Sequence, residues 1–302
     1  MNCWLHRYIL FTTFCTFLLL LAGALVTGNE AGLSVPDWPL SYGSLTPPMV
    51  GGIFYEHGHR MMASFVGFLT VMLALWIWRK RERRKPVRIL TFSALAAVIA
   101  QGILGGITVL LFLPAPVSVM HACLAQAFFC LMMSLALLTS KGWQEPVIHE
   151  AEDRKQVPLR KVGVLTTVSI YLQLILGAAL RHSKSGILFH IAGAFLVTIF
   201  TLWFIGRIYK FFEHRSELFK PALILGFLLM IQISLGVGSY LVRLASREDV
   251  QPLPLPVAVT TAHLAVGALV LATCVVLTLQ VFRILAPTPA QINLSQATQE
   301  AS

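Results

Sequence analysis

The chain has 302 residues, of which 57% are hydrophobic and 12% are charged. With a mean hydropathy of +0.77, this composition excludes a soluble globular protein and indicates an integral membrane protein. The formal net charge is +10, but 18 of the 23 Lys and Arg residues lie in alternate loops or near the chain ends, at Arg7, 79–88, 141–161, 207–220 and Arg283. Such alternation reports membrane topology and gives no reason to expect a nucleic-acid partner.

Eight apolar stretches are long enough to cross a bilayer as helices. They fall at about 8–27, 57–78, 88–112, 116–140, 161–180, 186–208, 219–242 and 257–283. We therefore predict an all-α integral membrane protein with eight transmembrane helices. Arg7 before an apolar stretch also fits a signal peptide, but the stretch is longer than a usual signal core, so we expect a retained helix.

The charge distribution predicts the orientation of this multi-pass protein. Because basic loops stay in the cytoplasm, both termini are expected there, and the bacterial inner membrane is the expected location. The five remaining basic residues are then on the outer side: Arg60, Arg181, Lys184, Arg243 and Arg247.

The predicted helices divide into two halves with a common pattern. A polar linker at 142–160 separates an N-terminal half, 1–141, from a C-terminal half, 161–285, and a polar tail follows at 286–302. Near the outer ends of alternate spans the motif Gln-x-x-x-Gly recurs, at Gln101/Gly105, Gln173/Gly177 and Gln232/Gly236, and the first span has Leu19/Gly23 in the same register. A helical hairpin used four times predicts two pseudo-symmetric four-helix bundles. The glycines also fit ordinary close helix packing, whereas membrane-embedded glutamines point to a site.

Four histidines lie about one turn inside the outer ends of separate spans, and each has a small residue four positions later on the same helical face. The pairs are His59/Ala63, His121/Ala125, His190/Ala194 and His263/Gly267. Small neighbours leave room for a flat ligand such as a porphyrin, and imidazole is a common axial ligand of haem iron. We predict two bis-histidine haem sites, one in each half. A bare zinc or copper site is the alternative, less well matched because one ligand per hairpin keeps the ligands apart.

The two halves differ three residues before the histidines. Glu56 precedes His59, whereas the equivalent positions hold Ser118, Ile187 and Thr260. A carboxyl group in a low-dielectric pocket can handle protons, so Glu56 is the candidate catalytic residue of a reactive first-half site. The alternative is a solvated glutamate at a helix start, favoured there by the helix dipole.

Three arginines at the outer ends of spans, Arg60, Arg181 and Arg243, are candidates to bind haem propionates, because guanidinium pairs well with carboxylate. Snorkelling of these side chains to the interface is the alternative. The five cysteines show no pattern of a disulfide framework or metal site.

Motifs in the first outer loop carry a family resemblance. Gly32-Leu33-Ser34, Pro36-Asp37-Trp38-Pro39 and Gly43 are followed by Glu56-x-x-His59-Arg60 and the three later histidines. With these motifs the chain resembles the haem A synthases, from the first span to about Arg283. Part of that family has a cysteine pair in the first outer loop. Val35 and Ser41 occupy those places here, so the chain resembles the cysteine-free type.

The resemblance implies that haem O is oxidised at a ring methyl, through successive hydroxylations, to the formyl group of haem A. It implies that His59 and His121 hold this substrate haem beside Glu56, and that His190 and His263 hold a haem b that relays electrons. The implied partners are haem O, an unidentified electron donor, haem O synthase and cytochrome oxidase assembly factors, with membrane lipid around the helices. The resemblance is also compatible with a homo-oligomer.

Two other functions fit part of the pattern. A dihaem b-type cytochrome would use the same four histidines to pass electrons, for example from quinol, without modifying haem. Glu56 and the long first loop would then lack an explanation. A transporter or haem chaperone fits less well, because Glu56 is the only charge expected at membrane depth.

Overall fold

The fold is built almost wholly of helices. The computed structural model describes residues 3–150, 157–183, 185–246 and 251–285. Its helices are α1 (Cys3–Gly28), α2 (Gly51–Arg79), α3 (Lys85–Leu110), α4 (Ala115–Thr139), α5 (Lys141–Gln144), α6 (Leu159–Ser183), α7 (Ile187–Phe212), α8 (Ser216–Ala245) and α9 (Pro254–Ile284). All except the short α5 are long and apolar enough to cross a membrane. The predicted all-α class with eight transmembrane helices is confirmed.

Some predicted features fall outside these residues. They are the outer-side Lys184 and Arg247, positions 151–156 of the linker, and the polar tail at 286–302.

Each half forms a closed ring of four helices. In the first half α1 contacts α2, α2 contacts α3, α3 contacts α4 and α4 returns to α1. The second half repeats this order with α6, α7, α8 and α9. The halves meet through the first and last helix of each ring, because α1 contacts α9 and α4 contacts both α6 and α9. This arrangement is consistent with the predicted pseudo-symmetric pair of bundles.

Apolar packing follows the same division. One buried cluster, which includes Leu73 and Met132, lies in the first half, and another, which includes Phe204 and Leu277, lies in the second. A small third cluster around Phe129 and Ala268 joins the halves. Many large apolar side chains on the outward faces of α7 and α8 are exposed, as is expected of helices surrounded by lipid.

The second transmembrane helix begins earlier than predicted. The sequence pattern gave its start as about residue 57, whereas α2 starts at Gly51 after an extended Val50. Glu56 and His57 therefore lie inside the helix, in its second turn, and not at its first exposed residues. The loop before α2 is correspondingly shorter, and it folds back onto this turn.

The beginning of the linker packs under the second half. The carboxylate of Glu150 lies 3.1 Å from His214 Nε2 and 3.2 Å from Arg215 Nε. Arg215 also donates to the carbonyl of Ile148, and Arg283 donates to the carbonyl of Glu145. These contacts hold residues 145–150 against the α7–α8 loop and the end of α9, on the face opposite to the predicted haem sites.

The orientation of the chain gives a direct test. Leu45 in the first loop and Ile148 in the linker are 76% and 80% exposed. In a Cys3→Ser background, we expect Leu45→Cys to react with a membrane-impermeant maleimide in intact cells. We expect Ile148→Cys to react only after permeabilisation, because the loops richest in Lys and Arg remain inside. Labelling of Ile148→Cys in intact cells would reverse the topology.

Candidate functional site

Each of the four predicted histidines lies against a glycine of the preceding transmembrane helix. The pairs are His59 on Gly23, His121 on Gly105, His190 on Gly177 and His263 on Gly236. A Cβ built on these glycines would lie 3.1, 3.4, 3.0 and 3.2 Å from the corresponding histidine Cε1. Since carbon atoms prefer separations of about 3.5–4.0 Å, a Cβ would crowd the rings of His59, His190 and His263, and at Gly105 a side chain larger than Ala would crowd His121. The glycines of the repeat therefore make room for the imidazoles.

The glutamines of the repeat contact the same histidines. Gln101 Nε2 donates to the carbonyl of His121 at 2.9 Å. Gln173 Nε2 donates to the carbonyl of His190 at 2.8 Å and lies 3.1 Å from its Nδ1. Gln232 Nε2 lies 3.5 Å from Nε2 of His263, at the limit of a hydrogen bond. These glutamines fix the turns that carry the rings.

One small residue has a different role from the predicted one. Gly267, four residues after His263, was expected to leave room for a porphyrin. The amide of Gln232 fills that space, 3.0 Å from the position of a Cβ on Gly267. Gly267 therefore leaves room for the side chain of Gln232.

The environment of the rings fits a haem iron. Nδ1 of His59, His121 and His263 is buried without a hydrogen-bond partner. His59 interacts electrostatically with His121, and His263 interacts electrostatically with His190. Each half thus brings its two half-buried histidines near each other, as two imidazole ligands of one metal require. Among the described residues no three His, Cys, Asp or Glu side chains are grouped to hold a bare metal ion, so the zinc or copper alternative gains no support.

Glu56 is buried and fully hydrogen-bonded. Its side chain is 5% exposed, Oε2 accepts the backbone N–H of Val35 at 2.8 Å, and Oε1 pairs with Arg60 Nη2 at 2.6 Å. The alternative of a solvated glutamate at a helix start is therefore wrong. Both carboxylate oxygens hold the first outer loop or the arginine beside it.

Arg60 connects the same loop to α2. Besides its ion pair with Glu56, its guanidinium donates to the carbonyls of Asp37, Leu40 and Val35 at 2.7, 2.8 and 3.1 Å. These acceptors differ from the haem propionates suggested by the sequence. In this structure Arg60 fastens the loop.

A third contact between the loop and α2 involves His57 and Ser41, which the sequence pattern did not single out. His57 Nδ1 lies 2.8 Å from Ser41 Oγ, and both side chains are buried. His57 points away from the face of His59, as its spacing predicts, but the returning loop covers that second face. A helix pattern alone gives no signal for a partner that arrives from a loop.

The loop also packs onto α3. The ring of Trp38 lies 2.9 Å from the position of a Cβ on Gly106, next to the glycine that supports His121. Within the loop, Asp37 accepts the backbone N–H groups of Gly43 and Tyr42 at 2.8 and 2.7 Å. The Gly43 N–H, with that of Tyr42, holds the pKa of the Asp37 carboxyl below its usual value. The result is an ordered lid across the outer ends of α2 and α3.

Arg181 and Arg243 form a basic cluster at the outer end of the second half. They are close enough to repel each other. Arg181 donates through Nη2 to the carbonyl of Ala24 in α1 at 3.2 Å, while its buried Nε has no partner. Two neighbouring guanidinium groups with an unused N–H suit an anionic ligand. His182, next to Arg181, is half-buried and interacts electrostatically with His121.

Together, these features define an eight-helix membrane protein with two pairs of histidines near one face, one of them under an ordered lid. The comparisons show which known proteins the chain is similar to. A family model described as cytochrome oxidase assembly protein, COX15-CtaA, matches residues 50–193, which contain three of the four histidines. The chain is similar to this family over about half of its length.

Several relatives bear the name haem A synthase. The chain is 26% identical over 177 residues to that of Bacillus licheniformis, covering 58% of each chain. It is 24% identical over 261 residues to that of Bacillus pumilus, covering 78% of this chain and 84% of the relative, and 30% identical over 171 residues to that of Symbiobacterium thermophilum, covering 55% of each. Matches to several of the relatives span only about 60% of their length, for example 58% and 61%.

The glycine–histidine contacts can be tested one site at a time. We expect Gly105→Val to displace His121 and to abolish haem binding in the first half only. Gly102 lies one turn earlier on α3 and has no atom near its Cβ position, so Gly102→Val is a matched control. Gly177→Val should affect only the second-half haem. Optical spectra of the purified variants measure both losses, and normal haem content in Gly105→Val would show that the contact is dispensable.

Proposed function

We propose that this protein is a haem A synthase, which oxidises a ring methyl of haem O to the formyl group of haem A through successive hydroxylations. The observation that carries this proposal is the asymmetry of the two histidine pairs. Among the residues that the structure describes, a buried carboxylate and an ordered loop lie at the first pair and have no counterpart at the second. The names of the relatives support the same reaction.

We assign the substrate haem O to His59 and His121, and a haem b to His190 and His263. Haem b supplies one-electron transfer when bound. Arg181 and Arg243 are proposed to bind propionates of the second-half haem, because they form the basic cluster above that pair. Because the guanidinium of Arg60 already bonds Glu56 and the first outer loop, we assign it no haem propionate.

The chain's own residues have three tasks in this reaction. The two imidazoles orient the substrate ring, and the lid excludes water from it. Glu56 places a negative charge at the rim of the first pocket, where it stabilises positive charge that develops on the substrate.

A dihaem b-type cytochrome is the second candidate function. It is favoured because all four histidines pack against glycines in the same way. The pigment made in cells distinguishes the two. Expression beside a haem O synthase, in a host without haem A, should yield haem A or a hydroxylated haem O. Haem B as the only pigment would favour the cytochrome.

The proposal extends to partners and location. Haem O from a haem O synthase is the expected substrate, and a terminal oxidase that contains haem A is the expected destination of the product. The electron donor is unidentified. The expected location is the bacterial inner membrane, with the haem sites toward its outer face.

The assignment of the two haems predicts separable losses. His190→Ala or His263→Ala should remove the low-spin haem B spectrum, while haem O still binds in the first half, because each pair lies in its own helix ring. Reduced-minus-oxidised spectra and pigment extraction measure the two haems. Simultaneous loss of both from a correctly inserted protein would indicate a shared site.

Replacing Glu56 separates the enzyme from the cytochrome. In Glu56→Gln the amide still accepts the Val35 N–H, so we expect the fold and both haems to persist. The rate of haem A formation should fall by about 100- to 10,000-fold, which is the usual contribution of one acid–base group. Haem O or a hydroxylated intermediate should accumulate. Glu82→Gln is the matched control, because Glu82 pairs with Arg84 at 2.9 Å near the opposite face. Unchanged haem A yield would remove Glu56 from the mechanism.

A further inference from the structure

The contact between His57 and Ser41 has no part in the proposed chemistry, yet it is among the best-formed polar contacts of the outer face. The Nδ1–Oγ distance is 2.8 Å, and the two residues are 7% and 1% exposed. A hydrogen bond in such a dry position matters because neither partner can turn to water when it is lost.

The contact lies at the far end of the lid. Glu56 and Arg60 hold its first part, through Val35, Asp37 and Leu40. Ser41 is the next anchor, and its backbone exchanges hydrogen bonds with Ser44 at 3.0 and 3.1 Å, closing a tight loop. Beyond this point Leu45 is exposed. His57 therefore holds the end of the lid that the other two side chains do not reach.

The three anchoring side chains share one stretch of α2. At about 100° per residue, Glu56, Arg60 and His57 cover about 100° of the helix circumference. The loop thus wraps around the outer turn of α2, from the side near His59 to the side facing away from it. Releasing His57 frees the outermost part of this wrap and leaves His59 in place.

We propose that His57 is a positioning residue that, through Ser41, latches the first outer loop over the first-half site. The latch retains the haem held by His59 and His121 and keeps water from it. The identity of that haem rests on the proposed function, whereas the latch itself rests on the contact.

Three variants and one double variant test the latch in the full-length, haem-loaded protein. His57→Phe keeps ring volume without a polar atom, Ser41→Ala removes the hydroxyl, and His57→Asn restores a polar group near the place of Nδ1. The first readout is hydrogen exchange at the backbone amides of residues 41–44. The second is the rate at which haem O leaves the first half for an excess of apomyoglobin, alongside KM and kcat.

Loss of one buried hydrogen bond predicts about tenfold faster exchange and haem release in His57→Phe and Ser41→Ala. KM for haem O should rise while the second-half haem is unaffected. The double variant should be no worse than either single variant, because both break the same bond, and His57→Asn should recover most of the loss.

A matched control exists at the opposite face. His6 Nδ1 bonds Thr139 Oγ1 at 3.0 Å between α1 and α4, so His6→Phe removes an equivalent histidine–hydroxyl contact far from the lid. It should leave loop exchange and haem release unchanged. Unaltered loop exchange in His57→Phe and Ser41→Ala, or an Asn variant that behaves like Phe, would overturn the latch. A wild-type protein that makes no haem A would refute the proposed function but leave the exchange comparison valid.

Discussion

An imidazole inside a membrane bundle needs space beside a neighbouring helix, and the structure provides it with a glycine in every case. The four contacts, from Gly23 to His59 and from Gly236 to His263, repeat with nearly the same geometry. They bring the hairpin helices together at the outer end and hold each ring where it meets its partner. Close helix packing and ligand placement are thus one constraint, and the hairpin repeat follows from it.

In both halves the imidazoles pack against glycines, but the segments near the two histidine pairs differ. In the first half a long loop crosses α2 and α3 and is held by Glu56, His57 and Arg60. In the second half the position of Glu56 is taken by Ile187, and only positions 184–186 separate α6 from α7. A covered pocket with a carboxylate suits chemistry that must exclude water, whereas a plain pair of histidines suits electron transfer. This difference is the structural basis of the two separate tasks that we propose for the two halves.

The sequence predicts the parts of this structure that depend on local spacing. Helix number, the placement of the four histidines and the repeated glycines follow from period and register along single helices. The partners of Glu56 and Arg60, and the burial of His57, depend on where the loop at 31–44 returns. That path is set by contacts such as Trp38 on Gly106, between segments far apart in the chain. The earlier start of α2 has the same origin, because the loop covers its first turns.

The lid is held by the same part of α2 that carries His59. His59 lies within one turn of Glu56, Arg60 follows it directly, and Glu56 itself anchors the loop through the Val35 N–H. A loss of activity at Glu56 can therefore arise from its charge or from a displaced lid. His57 anchors the lid through Ser41, so the effect of changing it reports the position of the loop, whereas changing Arg60 also removes the ion pair of Glu56. The part of the Glu56 effect that exceeds the effect of His57 is the part due to chemistry.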